Sequence, residues 1–90
     1  MAVLITTEFP GLTQDMYNGL HAVLDQPART SPGFLMHCAG PVDGGWQVTE
    51  LWESQKDFDT FFTTYAVPLL PAGGALPATT VREIVSIVTP

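Results

Sequence analysis

Hydrophobic spacing along the chain switches between two periods. Residues 2–9, "AVLITTEF", are short and rich in β-branched side chains, and Pro10-Gly11 stops them, so a strand is predicted. Over 12–27, "LTQDMYNGLHAVLDQP", Met16, Leu20, Val23 and Leu24 recur at i, i+4, i+7 and i+8, the stripe of an amphipathic helix. Thr13 is its expected N-cap, and Asp15 lies in the first turn, where the helix dipole favours an acid. Leu12 and Tyr17 occupy the two positions of a hydrophobic staple. Pro27 is expected to end the helix and leave 28–33 as a loop.

Residues 34–40, "FLMHCAG", and 46–53, "WQVTELWE", read as strands around the turn "PVDGG", and the short separation makes them an antiparallel hairpin. Ser54 is the expected cap of a second helix, with Asp57 in the acidic position of a capping box. Its stripe is Phe58, Phe61, Phe62, Tyr65 and Leu69, broken at its end by Pro68 and Pro71. Residues 71–80 are predicted as loop, and 81–88, "VREIVSIV", as the last strand, with Val81, Glu83, Val85 and Ile87 on one face. The order β-α-β-β-α-β is a two-fold pseudo-repeat over 2–40 and 46–88. It predicts a ferredoxin-like α+β fold: a single domain, 1–90, with two helices on one face of a four-stranded antiparallel sheet.

Composition adds a partner. Hydrophobic residues make up 46% of the chain and charged residues 13%, more apolar surface than a monomer of this length hides. A homodimer is expected, with two sheets face to face and the helices outside. The net charge is −6, and the positive side chains are Arg29, Lys56 and Arg82. A phosphate-tracking surface needs clustered cations, which argues against nucleic acid and anionic membranes as partners. Cys38 is the single cysteine, so no internal disulfide forms, as suits a reducing cytoplasm. No basic stretch precedes the first apolar run, and no run approaches the roughly 20 residues of a membrane span. The expectation is a cytoplasmic protein.

Each hairpin strand carries one ionisable residue near its middle, His37 and Glu50. Burying such groups is costly unless they are paired. Facing residues in an antiparallel pair have a constant sum of numbers. A three-residue loop, Val42 to Gly44, would set His37 against Thr49 and put His37 and Glu50 on opposite faces. A four-residue turn, Val42 to Gly45, would set His37 directly against Glu50, with Cβ atoms about 4.5–5.5 Å apart. The one-residue shift moves a whole strand to the other face. The four-residue turn is favoured because it gives buried Glu50 a partner; a β-bulge could also reconcile the two. Trp46, Val48, Glu50 and Trp52 share one face either way and are placed toward the helices.

The element order, the Gly33-Phe34 start of the second strand, the run Glu50-Leu51-Trp52-Glu53-Ser54 and Phe58 in the following helix resemble the antibiotic-biosynthesis-monooxygenase-like proteins of the dimeric α+β barrel superfamily. The resemblance spans the chain. It implies a ligand site between sheet and helices in each subunit. It also implies a choice of activities that includes cofactor-independent oxygenation of polycyclic phenols and oxidative haem breakdown. Of the haem-degrading members' Asn, Trp and His set, Trp52 alone has a match. The Asn position falls near Thr7 or Glu8 and the helix-two His position near Thr64 or Tyr65, which argues against haem breakdown.

A cofactor-free oxygenase needs an apolar cavity, aromatic walls and a base. Histidine, ordinarily titrating near pH 6.5, suits the base. The candidates are therefore His37 as base, Glu50 as the carboxylate that orients it, and Trp52, Trp46, Tyr65, Phe61 and Phe62 as walls for a planar substrate. The competing reading of the same residues is a hydrogen-bonded pair within packed core. His21 lies about 100° from the centre of the first helix's stripe, and a boundary or solvent position is expected. Cys38 is expected as a small buried thiol. No metal-ligand spacing is present and no cofactor is expected. The leading expectation is a small-molecule pocket protein of secondary metabolism, a cofactor-independent monooxygenase acting on a polycyclic phenolic or enolic substrate. The alternatives are a cyclase or isomerase of a polyketide-like intermediate, or a non-enzymatic ligand carrier or dimerisation module.

Overall fold

The computed structural model describes residues 2–70 and 77–90. Strand β1 is Val3–Pro10, helix α1 Gln14–Thr30, β2 Phe34–Val42, β3 Gly45–Trp52, α2 Gln55–Phe61 and β4 Ala78–Glu83. The strands form one antiparallel sheet in the order β2-β3-β1-β4, so the fold is the expected ferredoxin-like α+β arrangement. Both predicted caps close their helices: Thr13 Oγ1 accepts from the Met16 N–H at 3.2 Å, and Ser54 Oγ from the Asp57 N–H at 3.1 Å. No helix among the described residues is long and apolar enough to cross a membrane.

The hairpin register is that of the four-residue turn. Val42 pairs with Gly45, His37 stands opposite Glu50, and Asp43-Gly44 form the tip, where Gly44 takes φ 75°. The bulge is present as well, at a place the sequence did not announce. Phe34 pairs with Trp52 and Met36 with Leu51, leaving Leu35 as the extra residue. Phe34 and His37, three apart, would otherwise lie on opposite faces; the bulge lets both reach the helix side of the sheet. Just before it, Gly33 takes φ 83°, and a Cβ there would sit 2.2 Å from the Asp57 carboxylate.

Four expectations are corrected. First, α1 runs through Pro27 to Thr30. The proline deprives the Val23 carbonyl of its partner, but Val23 is on the exposed side of the helix, where such a loss is least costly. Ala28, one residue beyond, is buried and holds the last turn to the core. Second, the inward face of α1 is Tyr17, Leu20, Leu24 and Ala28; Met16 and Val23 are more than half exposed. Third, after α2 the chain widens into one π-turn, with the Val67 N–H reaching back to the Phe62 carbonyl. The extra residue turns Ala66 inward and leaves Tyr65 and Leu69 exposed. Fourth, β4 occupies 78–83 rather than 81–88. Its partner β1 begins at Val3, the Ile84 N–H makes a last bond to the Ala2 carbonyl, and Val85, Ile87 and Val88 extend into solvent. Part of the expected 71–80 loop, residues 71–76, lies outside the described residues.

The core lies between sheet and helices. Val3, Ile5, Ala28, Trp52, Phe58 and Phe61 form it, with Leu24, Phe34, Phe62 and Val81 packed around them. Trp52 is fully buried and meets Phe34 and Phe58 edge-on, with ring centroids 5.3 and 6.0 Å away. The opposite sheet face is open. Leu35 and Met36 are at least 40% exposed there, and Cys38, expected buried, is exposed because alternation along β2 turns it away from His37.

Candidate functional site

A cavity of about 300 Å³ lies between α1, α2 and the sheet. Its apolar wall comes from Leu20, Leu24, Phe34, Phe58, Phe61 and Phe62, and its polar positions from Thr7, Tyr17, His21, Asp25, Arg29, His37 and Glu50. Glu50 is 7% exposed. Its Oε1 accepts the Trp52 indole N–H at 3.0 Å, and its Oε2 lies 2.6 Å from His37 Nδ1. A carboxylate only accepts, so the hydrogen on His37 is assigned to Nδ1 and its Nε2 presents a lone pair. The Tyr17 hydroxyl donates to that Nε2 at 2.6 Å. Trp52, Glu50, His37 and Tyr17 thus form one hydrogen-bonded chain from the core to the cavity wall.

Burial raises the pKa of the Tyr17 hydroxyl above its ordinary 10.0, and the negative charges of Glu50 and Asp25 add to the effect. Tyr17 is therefore a neutral donor at physiological pH. At the rim, the Arg29 guanidinium bonds to Asp25 at 2.9 Å and holds its carboxyl below the usual range.

Of the residues singled out in the sequence, His37, Glu50, Phe61 and Phe62 face the cavity. Three others are placed differently. Trp52 is sealed in the core behind Glu50, where it acts as a hydrogen-bond donor. Trp46 is buried with its indole stacked on Tyr17, centroids 5.3 Å apart, and its Nε1 has no partner among the described residues. Tyr65 is turned by the π-turn to a second hollow beside Thr30, Asp57 and Thr64.

Tyr17 and His21 line the cavity, although the sequence reading passed over them. Tyr17, assigned there to a staple, puts its ring on Trp46 and its hydroxyl on His37. His21, assigned to boundary or solvent, is exposed but stacks on Tyr17 at 5.6 Å. The available signal was their four-residue spacing, which aligns two polar-tipped rings on one helix face.

No protein-family model and no curated protein matches the chain. Solved structures do. A heme-degrading protein of Mycobacterium tuberculosis is 23% identical, with 100% of this chain and 98% of that one covered and a TM-score of 0.69. A monooxygenase of Streptomyces coelicolor, solved in complex with nanaomycin D, is 22% identical over 99% and 90%, with a TM-score of 0.59. SnoaB, a cofactor-independent oxygenase of Streptomyces nogalater, is 14% identical over 98% and 94%, with a TM-score of 0.60. The chain has the fold of the antibiotic biosynthesis monooxygenase-like proteins. At these identities the likeness establishes the fold.

The α2 side of the cavity offers a porphyrin iron no ligand: among the described residues, α2 and its following turn present phenylalanines and Ala66. His21 stands at the rim with Nδ1 toward Tyr17 and Nε2 toward Asp25.

Proposed function

We propose that this ferredoxin-like domain is a cofactor-independent monooxygenase of secondary metabolism, acting on a planar, polycyclic phenolic or enolic substrate. The observation that carries the reading is the Tyr17–His37–Glu50 chain opening on an aromatic-walled cavity. His37 Nε2 is the base, and Glu50 fixes its tautomer and balances the imidazolium charge. Tyr17 either yields its place to the substrate hydroxyl or passes that proton on to His37. Phe34, Phe58, Phe61 and Phe62 hold the rings and exclude water, which leaves the substrate anion poorly solvated and readily oxidised.

The anion gives one electron to O₂, and the radical pair joins as a C–O bond. The peroxide takes its proton from water, and His37 must shed the one it holds before the next turnover. At a CH₂ carbon the hydroperoxide then loses water and becomes a carbonyl, so one oxygen atom enters the product and the other leaves as water. The fold shared with solved oxygenases supports this choice.

Oxygen consumption with anthrone tests it. One O₂ should be taken up per anthrone converted to the quinone, and His37→Gln should lose the acceleration. Rates equal to buffer across a panel of polycyclic phenols would overturn the proposal. A product with unchanged oxygen count would assign the same base to cyclisation or isomerisation, and tight binding without turnover would mark a carrier.

The open sheet face supports a homodimer as the working unit, with Leu35 and Met36 against a second copy. Sedimentation should give twice the 9.7 kDa of one chain; a monomer at micromolar concentration would count against it.

A further inference from the structure

The polar chain of the cavity continues outward along α1. Tyr17, His21, Asp25 and Arg29 stand four residues apart on one face of the helix. The Tyr17 hydroxyl, 2.6 Å from His37 Nε2, is also 3.4 Å from His21 Nδ1. The two imidazole centroids are 5.7 Å apart, and each ring lies against Tyr17. His21 Nε2 is 3.8 Å from Asp25 Oδ1, and Asp25 is held ionised by Arg29. In order, the groups are carboxylate, imidazole, phenol, imidazole and carboxylate. The Glu50 end is buried and the Asp25 end is at the solvent.

Hydrogen counting gives this arrangement a meaning. Glu50 sets the hydrogen of His37 on Nδ1, and Asp25 favours the hydrogen of His21 on Nε2. Both remaining lone pairs then face a single Tyr17 hydroxyl hydrogen. The hydroxyl satisfies the nearer one and leaves the other, on exposed His21, to solvent or to a further proton. The stack therefore has a place for one extra proton, shared between two rings and flanked by two carboxylates. Among the described residues, β1 contributes Thr7 and Phe9 to the cavity and the α2 segment Phe58, Phe61, Phe62 and Ala66, all uncharged, while the Cys38 thiol on β2 adds slightly to the negative charge that acts on Tyr17.

We infer that Tyr17 and His21 form a proton relay that carries a proton held by His37 to solvent beside Asp25. His37 Nε2–H passes its proton to the Tyr17 oxygen as the Tyr17 O–H passes to His21 Nδ1. His21 then releases its Nε2 proton to water, and exchange at the exposed ring, one proton taken up at Nε2 and one lost from Nδ1 to solvent, restores the starting tautomer. One proton leaves, Tyr17 ends as it began, and no free phenolate is formed. The Tyr17–His21 contact must shorten by about half an ångström for transfer. The relay's use in turnover rests on His37 being the base of the proposed reaction; the sharing of the proton does not.

Nitrogen-15 imidazole titrations of the protein without substrate test the sharing directly. In the wild type both histidines should show the same two inflections, the mark of coupled sites. Tyr17→Phe should leave each with one independent inflection. His21→Asn, at an exposed position, should remove the second inflection from His37 with the fold intact. Single, independent inflections in the wild type that Tyr17→Phe and His21→Asn leave unmoved would overturn the relay. With anthrone, His21→Asn should slow turnover at least tenfold, and imidazole added to the buffer should restore it. Coupling without oxygen uptake would keep the relay and sink the oxygenase reading. Oxygen uptake without coupling would do the reverse.

Discussion

Helices α1 and α2 hold equivalent places in the two strand–helix–strand halves and face the same cavity, yet they contribute differently to it. From α1 come Tyr17, His21, Asp25 and Arg29 beside Leu20, Leu24 and Ala28; from α2 and the turn after it come apolar residues alone, Phe58, Phe61, Phe62 and Ala66. Phe58 and Phe61 are 5% exposed, whereas Tyr17 and Leu20 are half-buried and His21 is exposed. The α2 half supplies apolar volume alone, and the α1 half adds a line of donors and acceptors to its own apolar residues. The duplicated topology thus divides the lining: the α2 side presents buried core phenylalanines, and the α1 side presents polar groups that stay partly exposed.

The sharpest way to break that comparison is on the α2 side. Phe61→Ala should cost about 3–5 kcal/mol of stability, from lost burial plus the void left behind, measured by urea unfolding. A loss under 1 kcal/mol would mean that α2 does not anchor the core. On the sheet between the helices, His37→Gln should cost about 1–3 kcal/mol, because Glu50 loses a charge-assisted partner while buried. The same change should slow proton abstraction about 10²–10⁴-fold, read as oxygen uptake, so stability and activity part company here.

Tyr17→Phe keeps the ring on Trp46 and should cost about 1 kcal/mol or less. It also changes the alkaline limb of stability. The folded-state pKa of Tyr17 is raised above 10.0, so the folded protein binds more protons than the unfolded chain above that pH. The stabilisation is present below pH 10 and is lost as pH rises from there through the folded value. Urea midpoints at rising pH should fall less steeply in Tyr17→Phe than in the wild type. The smallest effect belongs to the rim. Arg29→Ala breaks an exposed i, i+4 pair and should change stability by no more than about 0.5 kcal/mol, and less at high salt. A larger loss would mean that α1 depends on its rim charges rather than on Leu24 and Ala28.

The fold was legible wherever the signal is local. Periodicity located both helices and the first three strands, Thr13 and Ser54 cap as read, and the cost of an unpaired carboxylate selected the hairpin register that joins His37 to Glu50. Misplacements arose where a local rule met tertiary packing. Pro27 ends no helix because burial of Ala28 holds the next turn, and β4 follows the start of β1 rather than its own apolar run at 84–88. Half of the candidate site was readable from the hairpin, and half was not. Trp46, Trp52 and Tyr65 have the right chemistry for a wall, but two are enclosed by core and one is rotated away by the π-turn. Tyr17 and His21 were passed over because the apolar stripe of α1 predicted a face one residue removed from the one the sheet accepts.

By itself the sequence determined the order of elements, the helix starts, the facing of His37 and Glu50, and an acidic chain with three cations. Those properties follow from spacing of a few residues, from backbone chemistry and from counting charges. Tertiary structure alone decided that Leu35 bulges, that α1 rolls Tyr17 inward, and that its hydroxyl closes on His37 across twenty residues. Such contacts depend on the phase at which a helix docks on a twisted sheet. That phase is set by the summed fit of many side chains rather than by any local pattern.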